Sequence, residues 1–529
     1  MKIKNFISDN FILLIVLLLG FVWTFTFPLY ETNDESNHFI RAYEISEGKI
    51  FTHQKPVSID DIATVAFNGC SNEQLDREQN FEICYGSILP KSIADSYLKF
   101  FYDRSGPDVT HSTLKYNLEN PIPLDKNGEQ ILYPNRQTTA YSPIPYLAPA
   151  LAITLLQPFN PTVSTLFYMS RIANVLLATF LLWLTLRIAY SSSANVKLVS
   201  IYIAIAIGAL SKQTALVFML VPFAFQAYQL LMFKREKILP AKNAKSLKSA
   251  ASKSAASKSV PAKSKSVAAK SSKSSKSVPN KKSNSYKYYE LLYPLIPLAG
   301  VEIWNKLYNA LSMKTMDPFY NLFDGSMPDF HIYLMHHPFE MVQKFAEQFF
   351  GLFSEKGIGE LEKTANNLVW YTTFKDFQPN WAMYLFVGML IAIAIYYKKF
   401  EAIMLFPALM FSYISMGTDL VANFMIIISF VLSMHYIKAN KIGTPVMFRA
   451  VSYLTAFLYF IGTYFAIWLI FTPEFAGEIW GVQGRYFVVL LPIFALLSKQ
   501  KDTPKYVNIF FIFGVVMMQL SIILSMIYV

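Results

Sequence analysis

The sequence predicts an all-α polytopic membrane protein with about 11 transmembrane helices, a large first outer loop and helices that lie in the membrane interface. The chain of 529 residues is 53% hydrophobic and 16% aromatic, which is too apolar for an ordinary soluble protein. Several segments of about 20 residues are almost free of charge. A helix of roughly 20 apolar residues crosses a hydrocarbon core of about 30 Å.

Eleven spans are predicted, and with the amino terminus inside they leave every basic loop in the cytoplasm. Loops that stay in the cytoplasm carry an excess of Lys and Arg. The first span is long and aromatic and lacks a small-residue cleavage site, so we expect a retained helix rather than a cleaved signal peptide. In chain order the predicted spans are 11–29, 164–190, 195–211, 213–233, 288–306, 380–397, 401–417, 418–437, 448–471, 484–498 and 505–528.

These spans divide the chain into two membrane modules joined by a basic insert. The amino-terminal module, 1–233, contains the large outer loop 30–163. The carboxy-terminal module, 288–529, contains a second outer loop at 307–379. Residues 234–287 lie between the modules.

The insert at 234–287 holds 16 Lys and Arg residues against one acid, Glu236, whereas the net charge of the whole chain is +12. Its Lys/Ser-rich sequence has low complexity and no apolar periodicity, so we expect a disordered cytoplasmic segment. Its lysines can be attracted to anionic membrane lipids. Because the remainder of the chain is slightly acidic, no nucleic-acid partner is expected.

Two further apolar stretches are predicted to lie on the membrane surface. The stretch at 141–159, "YSPIPYLAPALAITLLQPF", has three prolines that suit a helix start better than a full crossing. Counting it as a span would also move the basic insert to the outside. Residues 341–353 place apolar side chains at helical spacing, which indicates a second interfacial helix.

The only two cysteines, Cys70 and Cys84, both lie in the first outer loop. An outward-facing loop is an oxidising environment, so we expect a disulfide between them rather than two buried thiols. The sequence has no CxxC or Cys/His spacing of the kind that binds zinc.

The stretch "NDESNHFIRAYEISEG", residues 33–48, directly follows the first span and combines two acids, a histidine and an arginine. Thr32 and Glu35 have the spacing of a capping box, which predicts a helix from about residue 33 to 46. Asp34, His38 and Arg41 then share one face. One interpretation is a capped helix whose charges pair locally. The other is a carboxylate pair that deprotonates an acceptor or holds a cation beside a lipid phosphate.

Three stretches of the chain resemble a bacterial family of predicted membrane proteins of unknown function. They are "NDESNHFIRAYEISEGKI", "TAYSPIPYLAPALAI" and "GVQGRYFVVLLPI", and they occur in this order. An acidic pair in the first outer loop also resembles the GT-C superfamily of integral-membrane glycosyltransferases, which use polyprenyl-phosphate-linked sugars. The resemblance implies a GT-C-like fold.

For the site, the resemblance implies that Asp34 is the catalytic base or positions the acceptor, and that Glu35 assists. Asp34 and Glu35 would also be the ligands of a divalent cation, Mg or Mn. His38, Arg41 and Tyr141 are candidate substrate-binding residues. The segment from Tyr141 to residue 146 resembles the proline-containing interfacial helix of the superfamily.

Cationic residues at the outer ends of other spans are further candidates. Lys212 lies in a tight outer turn, contrary to the usual positive bias of inner loops, and either contacts a phosphate or is merely exposed. Arg171 lies in the outer half of the second span, where an ionisable group is costly. It either pairs with a nearby carboxylate or has a functional role.

The closing motif "GVQGRY" adds Gln483, Arg485 and Tyr486 as candidate substrate-binding residues. Arg485 is either an arginine that extends to lipid headgroups or the partner of the donor phosphate. Gln483 is a candidate contact for sugar hydroxyls.

The sequence therefore predicts a glycosyltransferase that moves a sugar from a polyprenyl-phosphate donor to a surface glycan or lipid-linked acceptor. The expected location is the bacterial cytoplasmic membrane, with the active face periplasmic or extracellular. The alternatives are a flippase or transporter of lipid-linked glycans, which would show internal repeats and deep charges, or a polymerase or ligase.

Overall fold

The structure is a computed structural model of the chain. It describes residues 35–51, 53–58, 75–76, 81–97, 114–133, 141–238, 288–311, 336–351, 418–440 and 442–471. It also describes 13–14, 17–18, 20–21, 24–25, 29–30, 479, 482, 484–487, 489–490, 493 and 497.

The loop that follows the first predicted span contains short helices and strands. In chain order they are α1 (Glu35–Ser46), β1 (His53–Ser58), β2 (Leu75–Asp76), β3 (Phe81–Pro90), α2 (Lys91–Tyr97), α3 (Leu114–Glu119) and β4 (Gln130–Tyr133). β3 is central and pairs antiparallel with β1, β2 and β4, with His53 opposite Gly86 and Ser87 opposite Tyr133. The prediction of an all-α chain is therefore wrong in this loop, although most of the described chain is helical.

The remainder of the described chain is a bundle of helices. The α-helices are α4 (Leu147–Leu156), α5 (Val163–Ser191), α6 (Ala194–Ser211), α7 (Leu220–Ile238), α8 (Leu295–Leu311), α9 (Pro338–Gly351), α10 (Thr418–Asn440) and α11 (Pro445–Phe471). Short 3-10 helices cover Ile144–Tyr146, Gln157–Phe159, Gln213–Met219, Tyr288–Leu292 and Gly484–Phe487.

Five helices in the described part of the chain are long and apolar enough to cross a membrane, so the protein is a membrane protein. They are Val163–Tyr190, Ala194–Ser211, Gln213–Met232, Val421–Lys438 and Pro445–Leu469. Each coincides with a predicted span. The predicted spans 380–397, 401–417 and 505–528 lie outside the described residues, as does most of the insert.

The predicted span at 288–306 differs from the structure. Pro294 lacks an N–H group and ends the preceding 3-10 helix, so the chain starts again as α8 at Leu295. α8 has 17 residues and carries an exposed ion pair between Glu302 and Lys306. It is not one of the five helices that meet the length and composition for a crossing.

Close packing of α6 against α10 forms the centre of the bundle. An added Cβ at Gly208 would lie 3.2 Å from the Cβ of Met425, so the two helices approach closely where Gly208 has no side chain. Buried Ala204 lies one turn before Gly208 on the same face. Small residues spaced four apart are typical of helix packing within membranes.

The two predicted interfacial segments are helical. The apolar segment Ile144–Phe159 is shorter than the 18 residues of a spanning helix, and Leu147, Leu151 and Leu155 form an exposed stripe along it. In α9, Phe345 packs against Trp468 with ring centroids 5.5 Å apart. These lengths and faces fit helices that lie along the membrane surface.

Contacts between side chains define one end of the bundle, which we call the loop end. Phe51, just after α1, stacks on Trp304 of α8 with an interplanar angle of 14°. The neighbouring Asn305 accepts a hydrogen bond from Gln213, at the end of α6. At the opposite end, Tyr190 of α5 contacts His435 of α10. Residues 35–51, the turn after α6 and the carboxyl end of α8 therefore share the loop end.

Candidate functional site

Helix α1 begins with an acid and ends at a glycine, as its sequence predicts. Gly48 has a φ of 76°, in the left-handed region that favours glycine, and the chain turns there. Nine of the twelve side chains in α1 are buried, namely Glu35, Ser36, His38, Phe39, Ile40, Arg41, Ala42, Tyr43 and Glu44. α1 is thus a rigid element enclosed by the fold, rather than a solvated helix on the surface.

Glu35 forms a two-pronged ion pair with Arg171 of α5. The Nε atom of Arg171 donates to Oε1 of Glu35 at 2.8 Å, and a terminal nitrogen donates to Oε2 at 2.7 Å. Exposure is 0% for the Glu35 side chain and 3% for that of Arg171. Paired hydrogen bonds of this kind fix orientation as well as charge. The pair therefore fixes the start of α1 to a membrane-spanning helix.

The surroundings of the pair hold Arg171 in place. Arg171 also donates to the backbone carbonyl of Thr24 at 3.1 Å, and its guanidinium lies 5.0 Å from the ring centroid of Phe167. Burial and the nearby Glu35 carboxylate raise the pKa of Tyr30, whose hydroxyl lies 3.0 Å from that of Ser96. Tyr30 therefore stays a neutral phenol beside the ion pair.

His38 lies one turn after the start of α1 and contacts the proline-rich segment. Its Nδ1 atom lies 2.9 Å from the hydroxyl of Tyr146, and both side chains are buried. Tyr146 ends the 3-10 helix Ile144–Tyr146, which packs against α6 and α10. The contact thus connects α1 to the two central helices of the bundle. Tyr141, a candidate at the start of this segment, is half-buried and packs against the apolar cluster around α1.

Arg41 is fully buried and holds the turn that follows α1. It donates to Glu44 at 3.0 Å, to the carbonyl of Lys49 at 3.4 Å and to the carbonyl of Ile50 at 2.5 Å. The structure therefore agrees with the interpretation in which Arg41 pairs locally, since its partner Glu44 lies on the same helix. Burial and the charge of Glu47 raise the pKa of Tyr43 on the same helix.

A second group of predicted residues meets at the loop end. The ammonium nitrogen of Lys212 lies 3.7 Å from the ring centroid of Tyr486, which is a cation–π contact. Tyr459 of α11 donates to the backbone carbonyl of Tyr486 at 3.0 Å. The turn after α6 and the closing motif, 274 positions apart by residue number, are thus neighbours.

The remaining predicted site residues are not described. Asp34 and Gln483 lie outside the described residues, as does Cys70, so the Cys70–Cys84 disulfide stays a prediction. Arg485 belongs to the 3-10 helix Gly484–Phe487, and its position is described for the backbone alone.

The described residues do not fit the expected divalent cation. Both oxygens of Glu35 accept hydrogen bonds from Arg171, which a metal ligand would have to give up. Within the described ranges, no three His, Cys, Asp or Glu side chains come together as a metal site would require.

Several contacts of the site were not predicted from the sequence. The sequence does not predict the contacts of Tyr146 or Tyr459, although Tyr146 belongs to the proline-containing segment "YSPIPY". It indicates Arg171 as a candidate but does not identify its partner. Comparison of the chain with protein-family models, curated proteins and solved structures found no match.

Proposed function

We propose that the protein is a membrane glycosyltransferase that moves a sugar from a polyprenyl-phosphate donor to a surface glycan or lipid-linked acceptor. The observation that carries this proposal is the Glu35–Arg171 ion pair. It fixes the acidic start of α1 rigidly against a membrane-spanning helix. A catalytic carboxylate needs such fixed geometry, because misplacement by about 1 Å can cost about a hundredfold in rate.

The ion pair gives the two neighbouring acids different roles in this proposal. Glu35 is a positioning residue because both of its oxygens are bound by Arg171. The preceding residue, Asp34, is the catalytic base. In the sequence Asp34 directly precedes Glu35, the residue that Arg171 holds at the start of α1.

The reaction requires activation of the acceptor more than of the donor. In the proposed step the carboxylate of Asp34 takes the proton of the acceptor hydroxyl, and the acceptor oxygen bonds to the anomeric carbon. The bond from that carbon to the phosphate oxygen breaks, and polyprenyl phosphate leaves with the electron pair. A phosphate is a good leaving group once its charge is countered.

The cation for the leaving phosphate comes from the second group of residues. Lys212 lies against Tyr486 at the loop end, and Arg485 precedes Tyr486 in the chain. Gln483 and Tyr141 are proposed to contact the sugar or acceptor. His38 supports α1 through Tyr146, and buried Arg41 supports its following turn, so we assign both to positioning.

The proposed location is the bacterial cytoplasmic membrane, with the loop end facing the periplasm or exterior. Basic residues of the predicted inner loops support this orientation. At that surface, lipid-linked sugars and acceptors would both reach the start of α1.

Replacing Asp34 tests the proposal. Proteoliposomes with the purified protein are supplied with a panel of labelled polyprenyl-phosphate sugars and extracted surface glycan. We expect Asp34→Asn to lower transfer at least about a hundredfold, since a positioned general base contributes about 10²–10⁴. Asp95→Asn, an exposed acid in α2, is the matched control and should leave transfer unchanged.

Two results would contradict the proposal. Sugar transfer at the wild-type rate by Asp34→Asn would contradict the assignment of Asp34 as the catalytic base. Wild-type protein that moves the labelled lipid across the bilayer without transferring its sugar would instead identify a transporter.

A further inference from the structure

Hydroxyl side chains within the spans usually bond to their own helix. Membrane interiors offer no water, so Ser and Thr donate to the carbonyl one turn earlier. Distances of 2.7–2.9 Å to the carbonyl four residues earlier are seen for Ser170, Thr179, Thr185, Ser211, Ser433 and Thr455. These hydroxyls need no other partner.

Thr463 of α11 departs from this pattern. Its side chain is 1% exposed, and its hydroxyl oxygen has no hydrogen-bond partner among the described residues. Leaving a buried hydroxyl unbonded costs about 1–3 kcal/mol. Such a group in a native fold needs an explanation, and a bound partner is one.

The position of Thr463 on α11 places it toward the closing motif. It lies one turn after Tyr459, and residues four apart share a helix face. Tyr459 donates to the carbonyl of Tyr486, and the adjacent Tyr464 stacks on Phe487 with an interplanar angle of 17°. The face that bears Thr463 therefore packs against residues 484–487.

A cation lies against the same segment, and a second hydroxyl without a described partner follows it in the 3-10 helix Gln213–Met219, which packs against α11. The Lys212 ammonium is 3.7 Å from the ring centroid of Tyr486. Two residues later, the hydroxyl of Thr214 is also buried without a partner among the described residues. An ammonium and hydroxyl donors are the groups that proteins use to bind phosphoryl oxygens.

Thr463 and Lys212 both lie near the loop-end limits of candidate membrane spans. Thr463 lies six residues before the end of the span Pro445–Leu469, which is about 9 Å along a helix. Lys212 directly follows the end of the span Ala194–Ser211. The phosphate of a membrane lipid lies in the headgroup region beyond the hydrocarbon core, next to the ends of spanning helices.

We infer that Thr463, Thr214 and Lys212 form the binding site for the phosphate of a prenyl-phosphate lipid. The two hydroxyls donate to phosphoryl oxygens, and the Lys212 ammonium counters the charge. The identity of the lipid rests on the proposed function, whereas the anion site rests on the contacts above.

Binding of farnesyl phosphate to the purified full-length protein in detergent tests the inference. We expect farnesol, which lacks the phosphate, to bind at least about tenfold more weakly. Thr463→Val keeps the shape of the side chain and removes its hydroxyl. It should weaken farnesyl phosphate binding about tenfold, because a hydrogen bond to a charged group contributes more than one between neutral groups. Lys212→Met should weaken binding by at least as much. Thr463→Ser should bind within about twofold of wild type.

Ser452→Ala is the matched control, because Ser452 is another buried hydroxyl of α11 without a described partner, three turns from Thr463. It should leave binding unchanged. Unchanged binding in Thr463→Val or Lys212→Met would overturn the inference, as would an equal loss of farnesol binding. Inorganic phosphate or phosphatidylglycerol binding with the same dependence on Thr463 would overturn the assignment to a prenyl phosphate.

The same assay with Asp34→Asn separates this inference from the proposed function. This variant should bind farnesyl phosphate as wild type does, because it removes the proposed base and leaves the anion site intact. If the wild-type protein binds farnesyl phosphate but transfers no sugar, the phosphate site is supported and the proposed transferase activity is contradicted.

Discussion

Glu35 and Arg171 are 136 positions apart in the chain and form the buried ion pair at the start of α1. Local spacing predicted a capping role for Glu35 and left Arg171 with two open interpretations. In the structure Arg171 pairs with a carboxylate, which is one of those two interpretations. The identity of this partner could not be predicted, because no periodicity relates a loop residue to a residue in a later span. A membrane-embedded cation was the available signal, since such charges are almost always paired.

Breaking this pair should destabilise the protein strongly. Removing one partner leaves an uncompensated buried charge, which costs about 3–5 kcal/mol. We therefore expect Glu35→Gln and Arg171→Met each to lower the free energy of unfolding by about that amount. The Glu35→Gln/Arg171→Met double variant should lose less than the sum of the two, because it leaves no orphaned charge. Unfolding in detergent, followed by circular dichroism, measures this.

The exposed pair between Lys91 and Glu129 provides the control for this prediction. Its side chains are 49% and 64% exposed, so Lys91→Met should change stability far less than either substitution in the buried pair. The Glu129 carboxylate raises the pKa of Lys91, but that carboxylate stays solvated when the lysine is removed. Additive losses in the Glu35/Arg171 double variant would contradict the account of a coupled buried pair.

Among the elements, the sequence predicts α1 and the five long apolar helices, but it predicts neither the sheet nor the short loop helices α2 and α3. α1 was expected over 33–46 and is observed from Glu35 to Ser46. Its acidic start and Gly48 stop act within a few residues, so local spacing captures them. The strands depend on pairing over longer separations, as between Ser87 and Tyr133. Alternating apolar residues in "FEICYGSILP" were the one local signal for β3.

The contact between α6 and α10 makes a prediction about Gly208. A side chain there would meet Met425 and the backbone of α10, whereas one at Gly462 of α11 would meet nothing within 4 Å. We expect Gly208→Leu to lower the free energy of unfolding by about 1–3 kcal/mol through overpacking. Gly462→Leu should be neutral or stabilising because leucine favours helices more than glycine does. Equal effects of the two substitutions on thermal unfolding would contradict the close packing.

For the molecule as a whole, five of the eleven predicted spans coincide with membrane-crossing helices within the residues that the structure describes. Hydropathy finds these helices because each is continuous and apolar over at least 18 residues. In the predicted span 288–306, Pro294 separates a 3-10 helix from the 17-residue α8. The orientation was predicted from the distribution of basic residues among the loops. The contacts of Phe51 with Trp304 and of Gln213 with Asn305 show independently that the predicted outer segments lie at one end of the bundle.

The orientation of the loop end is the claim on which the proposed chemistry depends, and cysteine labelling measures it directly. In a Cys70→Ser/Cys84→Ser background, exposed Asn127→Cys marks the loop that follows α1, and exposed Asn440→Cys marks the far end of α10. We predict that a membrane-impermeant maleimide labels position 127 in intact spheroplasts and position 440 only after the membrane is opened. Labelling of position 440 alone in intact spheroplasts would place Glu35 in the cytosol and contradict the account.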